Sequence, residues 1–401
     1  MKSKNITPID IYESEQYKLD AYFDNLPETK YRKDYIEDKI NKLDSNLIVS
    51  NRKDKYFIKQ KRVYCPHCYS KDINENGYFP KDIILVNQGL VKCKIKRYEC
   101  KTCKKGFSAD ISCIVDKNFT VSHDVKDTVQ EYYSIDHTSV RKIQEFMKKI
   151  HGVSISHQEV EDIIVDYSIH YNPDISEYSG HYAFDALWIK IKELSDKWVF
   201  LLALMDVCHD TIVAYKIVEH ETEKEVYKFL SQATQNQPRI AITTDLKQDY
   251  RKPISDLKFE HQFCHFHFKQ NVNKTIREYV KENNLPESKI KEFKSYLPKL
   301  YAIFDLESMT EVDEMMDNLR KRINEFPEII QEIFNDKFAP NYRNLTKYIE
   351  NPKIEHTSNM IERIFGDLAP KHIKRKYKTV KGFLSRFSLK LKRWDQRNAF
   401  Y

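Results

Sequence analysis

His181-Tyr182-Ala183-Phe184-Asp185-Ala186-Leu187-Trp188-Ile189-Lys190-Ile191 places one aspartate inside an apolar run rich in aromatic and β-branched residues. Such a run favours a strand, and a carboxylate within it is costly unless it is paired or faces a cation. Residues 198–207 and 211–218 continue the strand pattern, with His209-Asp210 as a short turn between them. Glu221 to Ala233 then has helical periodicity. Arg239-Ile240-Ala241-Ile242-Thr243-Thr244 makes a fourth strand, which ends on Asp245.

Three strands, a helix and a fourth strand form the opening order of an RNase H-like mixed sheet. In that fold the first and fourth strands lie side by side, so Asp185 and Asp245 come close enough to share a metal ion. Two carboxylates that close require a cation between them, and Mg²⁺ takes one or two carboxylates together with phosphate oxygens. Upstream of this sheet, Cys65-Pro66-His67-Cys68 and Cys100-Lys101-Thr102-Cys103 are two C-x₂-C knuckles flanking a hairpin pattern that turns at Asn87-Gln88-Gly89. Four cysteines so arranged suit tetrahedral Zn²⁺ in a zinc ribbon over 61–113. Val91, Cys93 and Ile95 alternate with Lys92, Lys94 and Lys96, so Cys93 reads as a core residue and the lysines, with Arg97, as a cationic face. Residues 92–105 carry a net charge of +6.

Two short helical patterns follow within 120–172. One begins at Thr138-Ser139-Val140, with apolar residues at 140, 143, 146, 147 and 150, and breaks at Gly152. The other begins after Ser156, with Glu159 completing a capping-box spacing. Two helices joined by a short glycine-containing turn fit a helix-turn-helix, with His157 and Gln158 at the exposed start of the recognition helix.

The stretches Phe184-Asp185, Thr243-Thr244-Asp245 and His356-Thr357-Ser358-Asn359-Met360-Ile361-Glu362-Arg363 resemble the DDE transposases of prokaryotic insertion sequences, in the broad group related to Mutator-like elements. The last resembles the T-x-N-x-x-E-R helix that supplies the third acid in those enzymes, and Cys264-His265-Phe266-His267 matches their C-x₂-H signature. The two aspartates are separated by 59 residues, and 116 more precede Glu362, a gap that looks like the group's all-helical insertion. The resemblance covers roughly residues 61–395. It implies that Asp185, Asp245 and Glu362 bind two Mg²⁺ (or Mn²⁺) ions, and that Cys264, His267 and Asn359 help organise the site. It further implies that the ribbon and helix-turn-helix locate terminal repeats in double-stranded DNA, that target DNA is joined, and that a homodimer or larger assembly acts. Glu355 is the reserve third acid; it precedes the helix and so lies off it. A DNA-binding regulator without catalysis, or another RNase H-like nuclease, is the competing reading.

The expected fold class is therefore multidomain α/β. A charged helical region over 1–60, the ribbon and the helix-turn-helix precede an RNase H-like catalytic domain over 180–398, with a helical insertion at 269–355 and a basic helix at 371–398. Composition agrees. The chain has 401 residues, a net charge of +7 and seven glycines, none close enough to another for a P-loop or dinucleotide fingerprint. Residues 371–397 alone sum to +10. Lys374, Arg375, Lys376 and Lys378 precede an amphipathic helical pattern, which reads as a face for DNA phosphates. The longest apolar run has eight residues, far short of the roughly 20 needed to span a membrane. The expected location is cytoplasmic and nucleoid-associated, where cysteines serve as thiols or metal ligands.

Overall fold

A computed structural model describes residues 28–53, 55–136, 138–167, 171, 173, 175–194, 198–370 and 377–398. The chain divides after Ile164 into two compact units.

In the first unit, helix α1 (Glu28–Leu43) precedes a hairpin of β1 (Leu47–Arg52) and β2 (Lys55–Gln60). These strands correct the expectation of a charged, mostly helical region over 1–60. The signal was present in Leu47-Ile48-Val49 and Tyr56-Phe57-Ile58, but the surrounding lysines hid it. β2 pairs in parallel with β4 (Gly89–Cys100), which pairs antiparallel with β3 (Ile73–Leu85) and β5 (Gly106–Ser108). The expected boundary at residue 61 therefore cuts through one sheet. Ile36 and Ile40 of α1 share a core with Leu47, Ile58, Ile83, Val91, Cys93 and Ile95. Three helices complete the unit: α2 (His123–Asp136), α3 (Val140–His151) and α4 (His157–Tyr167), the last running past the boundary between units. Gly152 ends α3 at φ 64°. Ser156 and Glu159 cap α4 reciprocally, Glu159 N–H donating to Ser156 Oγ at 3.1 Å and Ser156 N–H to Glu159 Oε2 at 3.4 Å. Ile143 and Met147 are buried as expected, but Ile150 is exposed. The β3–β4 turn rests on the end of α3: Asn87 N–H donates to the His151 carbonyl at 3.0 Å, and a Cβ on Gly89 would lie 2.8 Å from the Gly152 oxygen.

In the second unit, β6 (His181–Ile189), β7 (Val199–Asp206), β8 (Thr211–Val218), β9 (Ala241–Thr244) and β10 (Glu260–Phe263) form a sheet in the order β10-β9-β6-β7-β8. β6 runs parallel to β9 and antiparallel to β7, so the first and fourth strands are neighbours, the RNase H-like arrangement. α5 (Glu223–Ala233) and α6 (Gln248–Asp256) cover one face, where Phe184, Leu202 and Leu204 meet Val226, Phe229, Leu230, Tyr250 and Ile254.

The insertion begins with α7 (His265–Glu282) and continues through α8 (Ser288–Lys294), α9 (Leu297–Tyr301), α10 (Met309–Arg322), α11 (Glu328–Ile333), α12 (Tyr342–Leu345) and α13 (Lys347–Glu350). It has its own apolar core, including Phe268, Val272, Leu300, Met316, Ile330 and Phe338. Its first helix starts four residues before the expected boundary at 269. The C-x₂-H stretch is therefore a helix start. α14 (Asn359–Leu368) and α15 (Val380–Asn398) cover the sheet's other face. Ile361, Ile364, Phe365, Phe383, Phe387 and Leu391 pack there with Ala183, Leu187, Ile189, Leu201 and Ala203.

α15 corrects a second expectation. It starts at Val380, and its burial is not confined to one apolar stripe: Ser385, Ser388 and Lys390 are enclosed, Lys390 with 2% exposure. Arg397 pairs with Asp367 at 3.0 Å. Lys390 of the expected cationic face is therefore spent within the fold. Lys374, Arg375 and Lys376 lie outside the described residues, while Lys378 is described and exposed.

Candidate active site

Strand register brings the first two acids together. Ala183 lies opposite Thr243 on the parallel pair β6–β9, so Asp245, just beyond β9, falls level with Asp185. Asp185 shares the face of Ala183 and Leu187, towards α14, and accepts the Ala186 N–H at 2.7 Å. Asp245 opens a tight turn, accepting the Lys247 N–H at 3.0 Å. α14 is fixed against β6 by Ile361, Ile364 and Phe365, which carries Glu362, in its first turn, on the helix over that face of the sheet. Burial pushes the Asp185 carboxyl up to about 7, the charges of Asp245 and then Glu362 adding to the shift, while the Ala186 N–H and His267 oppose it. A desolvated carboxylate facing two others is the charge arrangement that a divalent cation relieves.

The C-x₂-H residues meet the third acid through Ser358. Cys264 begins α7 and Ser358 begins α14. Ser358 N–H lies 3.2 Å from the Cys264 sulfur, and its hydroxyl oxygen lies 3.2 Å from the same sulfur and 3.1 Å from Glu362 Oε1. His267 Nε2 is 3.5 Å from Glu362 Oε1. The hydrogen bond to Cys264, against the opposing effect of burial, raises His267 to about 9, with Cys264, Glu362 and Asp185 adding their charges. Burial raises the Cys264 thiol, but hydrogen bonds from His267 and Ser358 outweigh it and leave the thiol below its ordinary value. Among the described residues, the three carboxylates do not gather into a tight ligand cluster as they stand, for Glu362 turns to Ser358 and His267. Asn359 is exposed one turn before Glu362. Glu355 precedes α14, and its carbonyl accepts the Thr243 hydroxyl at 2.6 Å.

A cleft of about 670 Å³ opens from Asp245 along α7, past Lys247, His267, Gln270, Asn271, Lys274 and Arg277. Sequence reading placed Gln270, Asn271, Lys274 and Arg277 within the helical insertion. Their spacing along one helix face, opposite the buried Phe268, Val272 and Ile276, was the available signal.

The four knuckle cysteines form a second constellation, in the first unit. Their ligand atoms all lie within 4.8 Å of one another, with Cys65–Cys103 at 3.5 Å and Cys68–Cys100 at 3.6 Å. Tetrahedral zinc with sulfur at about 2.3 Å needs sulfurs about 3.8 Å apart, so the set fits the ion. The knuckles are backbone copies of one another. Tyr69 N–H donates to the Cys65 carbonyl and Lys104 N–H to the Cys100 carbonyl, both at 2.9 Å. Tyr69 and Lys104 adopt φ of 60° and 59°. Cys93 stands apart in the core, its thiol pushed up to about 12 by burial.

The expected DNA contacts fare unequally. Lys92 and Arg97 are exposed, as are His157 and Gln158 at the start of α4, and Lys94 is half-buried. Lys96 is a correction: it is 7% exposed, bonded to Glu75 at 2.7 Å and set over the Tyr78 ring. The irregularity in β3 between Glu75 and Tyr78 brings both residues over it.

The strand order of the second unit is the RNase H-like one, with acids on β6, just after β9 and on the helix that follows the insertion. The chain is 25% identical over 392 residues, 96% of its length and 95% of the relative's, to the insertion element ISM1 uncharacterized 48.3 kDa protein of Methanobrevibacter smithii. No family model matches. Among solved structures, the HTLV-2 integrase catalytic core domain in complex with magnesium is 16% identical, with 28% of this chain and 80% of that one covered and a TM-score of 0.19. A simian T-cell lymphotropic virus intasome in complex with PP2A regulatory subunit B56 gamma is 17% identical, with 40% and 65% covered and the same TM-score. At that score neither superposition carries weight, and the fold rests on the strand order.

Proposed function

We propose that this chain is a transposase that binds the terminal repeats of its own element and carries out metal-dependent DNA strand cleavage and strand transfer. The observation that supports the reading is the strand register that sets Asp185 level with Asp245, with Glu362 on the helix packed against the same face of the sheet. Similarity along nearly the whole chain to an insertion-element protein supports it. Asp185, Asp245 and Glu362 hold Mg²⁺ or Mn²⁺, which when bound activates the attacking oxygen and stabilises the leaving one. Ser358 and His267 orient the Glu362 carboxylate; Lys274 and Arg277 supply the positive side of the cleft for a phosphate backbone. Cys65, Cys68, Cys100 and Cys103 hold Zn²⁺. Lys92, Lys94, Arg97, His157 and Gln158 contact the DNA ends, and Lys374, Arg375, Lys376 and Lys378 contact phosphates near the cut. Two ends are handled by a homodimer or larger assembly.

No helix among the described residues is long and apolar enough to cross a membrane. The test incubates the purified chain with labelled DNA from either side of its gene, with Mg²⁺ or with chelator. Cleavage at an inverted repeat that requires the metal is expected. Tight end binding without cleavage in Mg²⁺ or Mn²⁺ favours the regulator reading, and cleavage blind to the repeat favours a general nuclease.

A further inference from the structure

The link between β8 and α5 buries a carboxylate. Glu221 stands just before Thr222, the N-cap of α5, and its side chain is 3% exposed. Two donors converge on it. Lys247 Nζ lies 2.5 Å from Oε2, and the Tyr250 hydroxyl donates to Oε1. Burial raises the Glu221 carboxyl, the Lys247 ammonium opposes that shift, and the charge of Asp245 is near enough to add to it. Lys247 is also the residue whose N–H bonds Asp245 Oδ1 at 3.0 Å, yet its side chain turns away from the acids. Nζ lies 5.7 Å from the ring centroids of both Phe200 and Tyr250. Those rings belong to the side of the sheet that buries Phe184, whereas Asp185 alternates onto the opposite side with Ala183 and Leu187.

A carboxylate 3.0 Å from a lysine's backbone nitrogen lies within the sweep of that residue's flexible four-carbon side chain. An ammonium free to fold back would pair with Asp245 and occupy the charge that a divalent cation must meet. Glu221 offers it a stronger partner, because a desolvated carboxylate is costly unless it is paired. We propose that Glu221 is a positioning residue that withholds Lys247 from Asp245 and so keeps the acid set open to Mg²⁺ or Mn²⁺. This rests on the transposase reading and adds to it a guard on the metal site.

The test titrates the full chain, without DNA, with Mn²⁺ and reads the free ion by electron paramagnetic resonance. Glu221→Gln keeps the shape and an amide for both donors but loses the charge. It should weaken Mn²⁺ binding about tenfold, the low end of the one to three decades by which a neighbouring charge biases a carboxylate. Removing the ammonium as well, in Glu221→Gln with Lys247→Met, should restore binding to within about twofold of wild type, a coupling that a double-mutant cycle reads directly. Glu221→Asp, which keeps the charge, should bind Mn²⁺ nearly as wild type does. The proposal is overturned if Glu221→Gln binds Mn²⁺ as wild type does, or if the double variant stays as weak as the single one, which would make Glu221 a support for the loop alone. It is also overturned if Glu221→Asp loses as much as Glu221→Gln. A chain that cleaves DNA with Mg²⁺ and whose Glu221→Gln holds Mn²⁺ unchanged loses this proposal and retains its function; a wild type that neither binds Mn²⁺ nor cleaves loses both.

Discussion

Replacing Cys264 by alanine probes how the third acid is held. Cys264 is fully buried and Ser358 is 1% exposed. Their two contacts, both at 3.2 Å, tie the start of α7 to the start of α14. Without the sulfur the Ser358 N–H is a buried donor with no acceptor, a state that costs about 1–3 kcal/mol. In a unit of this size, each kcal/mol lowers the melting temperature by roughly 2–4 °C. The Ser358 hydroxyl also reaches Glu362, so a loosened Ser358 frees the carboxylate. Single-turnover strand cleavage should fall at least about tenfold, equivalent to ~1.4 kcal/mol, while DNA affinity holds because Cys264 is buried. Cys264→Ser retains an acceptor and should lose much less of both. The hydrogen bond to Cys264 is the largest cause of the raised His267 pKa. In Cys264→Ala an NMR titration should therefore find that imidazole moved from about 9 towards its ordinary 6.5. A Cys264→Ala protein with unchanged melting temperature and cleavage within about twofold of wild type would refute the clamp.

Elemental analysis should find about one zinc per chain, lost when Cys65, Cys68, Cys100 or Cys103 becomes serine and kept in Cys93→Ser; zinc lost in Cys93→Ser would overturn the assignment. Each phosphate contact removed should flatten the slope of log K against log salt by ~0.9. Lys274→Gln with Arg277→Gln should therefore weaken specific and random duplexes alike, and an unchanged slope would place the DNA elsewhere. Lys374, Arg375, Lys376 and Lys378 changed together to glutamine should behave the same way, and a loss of sequence discrimination at constant slope would move base reading into the tail.

The acids on β6 and after β9 were legible because each interrupts or ends an apolar strand, and strand order then dictates their adjacency. The knuckle cysteines were legible from spacing alone. Three features were not. Lys96 alternates in sequence with buried residues, yet a β3 irregularity places Glu75 and Tyr78 over it. The tail helix carries a basic sequence, but two packed sides bury Lys390 among its serines. Ser358 had no role in the motif; its link to Cys264 spans 94 residues and depends on where the insertion returns. Contacts that join distant helix ends leave no periodicity to read.

The central claim is that Asp185, Asp245 and Glu362 act as one metal-holding set. It is tested most directly by Asp185→Asn, Asp245→Asn, Glu362→Gln and Glu355→Gln, compared for end binding and for strand cleavage in Mg²⁺ and Mn²⁺. The first three should bind the DNA end nearly as wild type does and cut nothing detectable, while Glu355→Gln cuts at close to the wild-type rate. An active Glu362→Gln beside an inactive Glu355→Gln, or any of the first three cleaving normally, would contradict it.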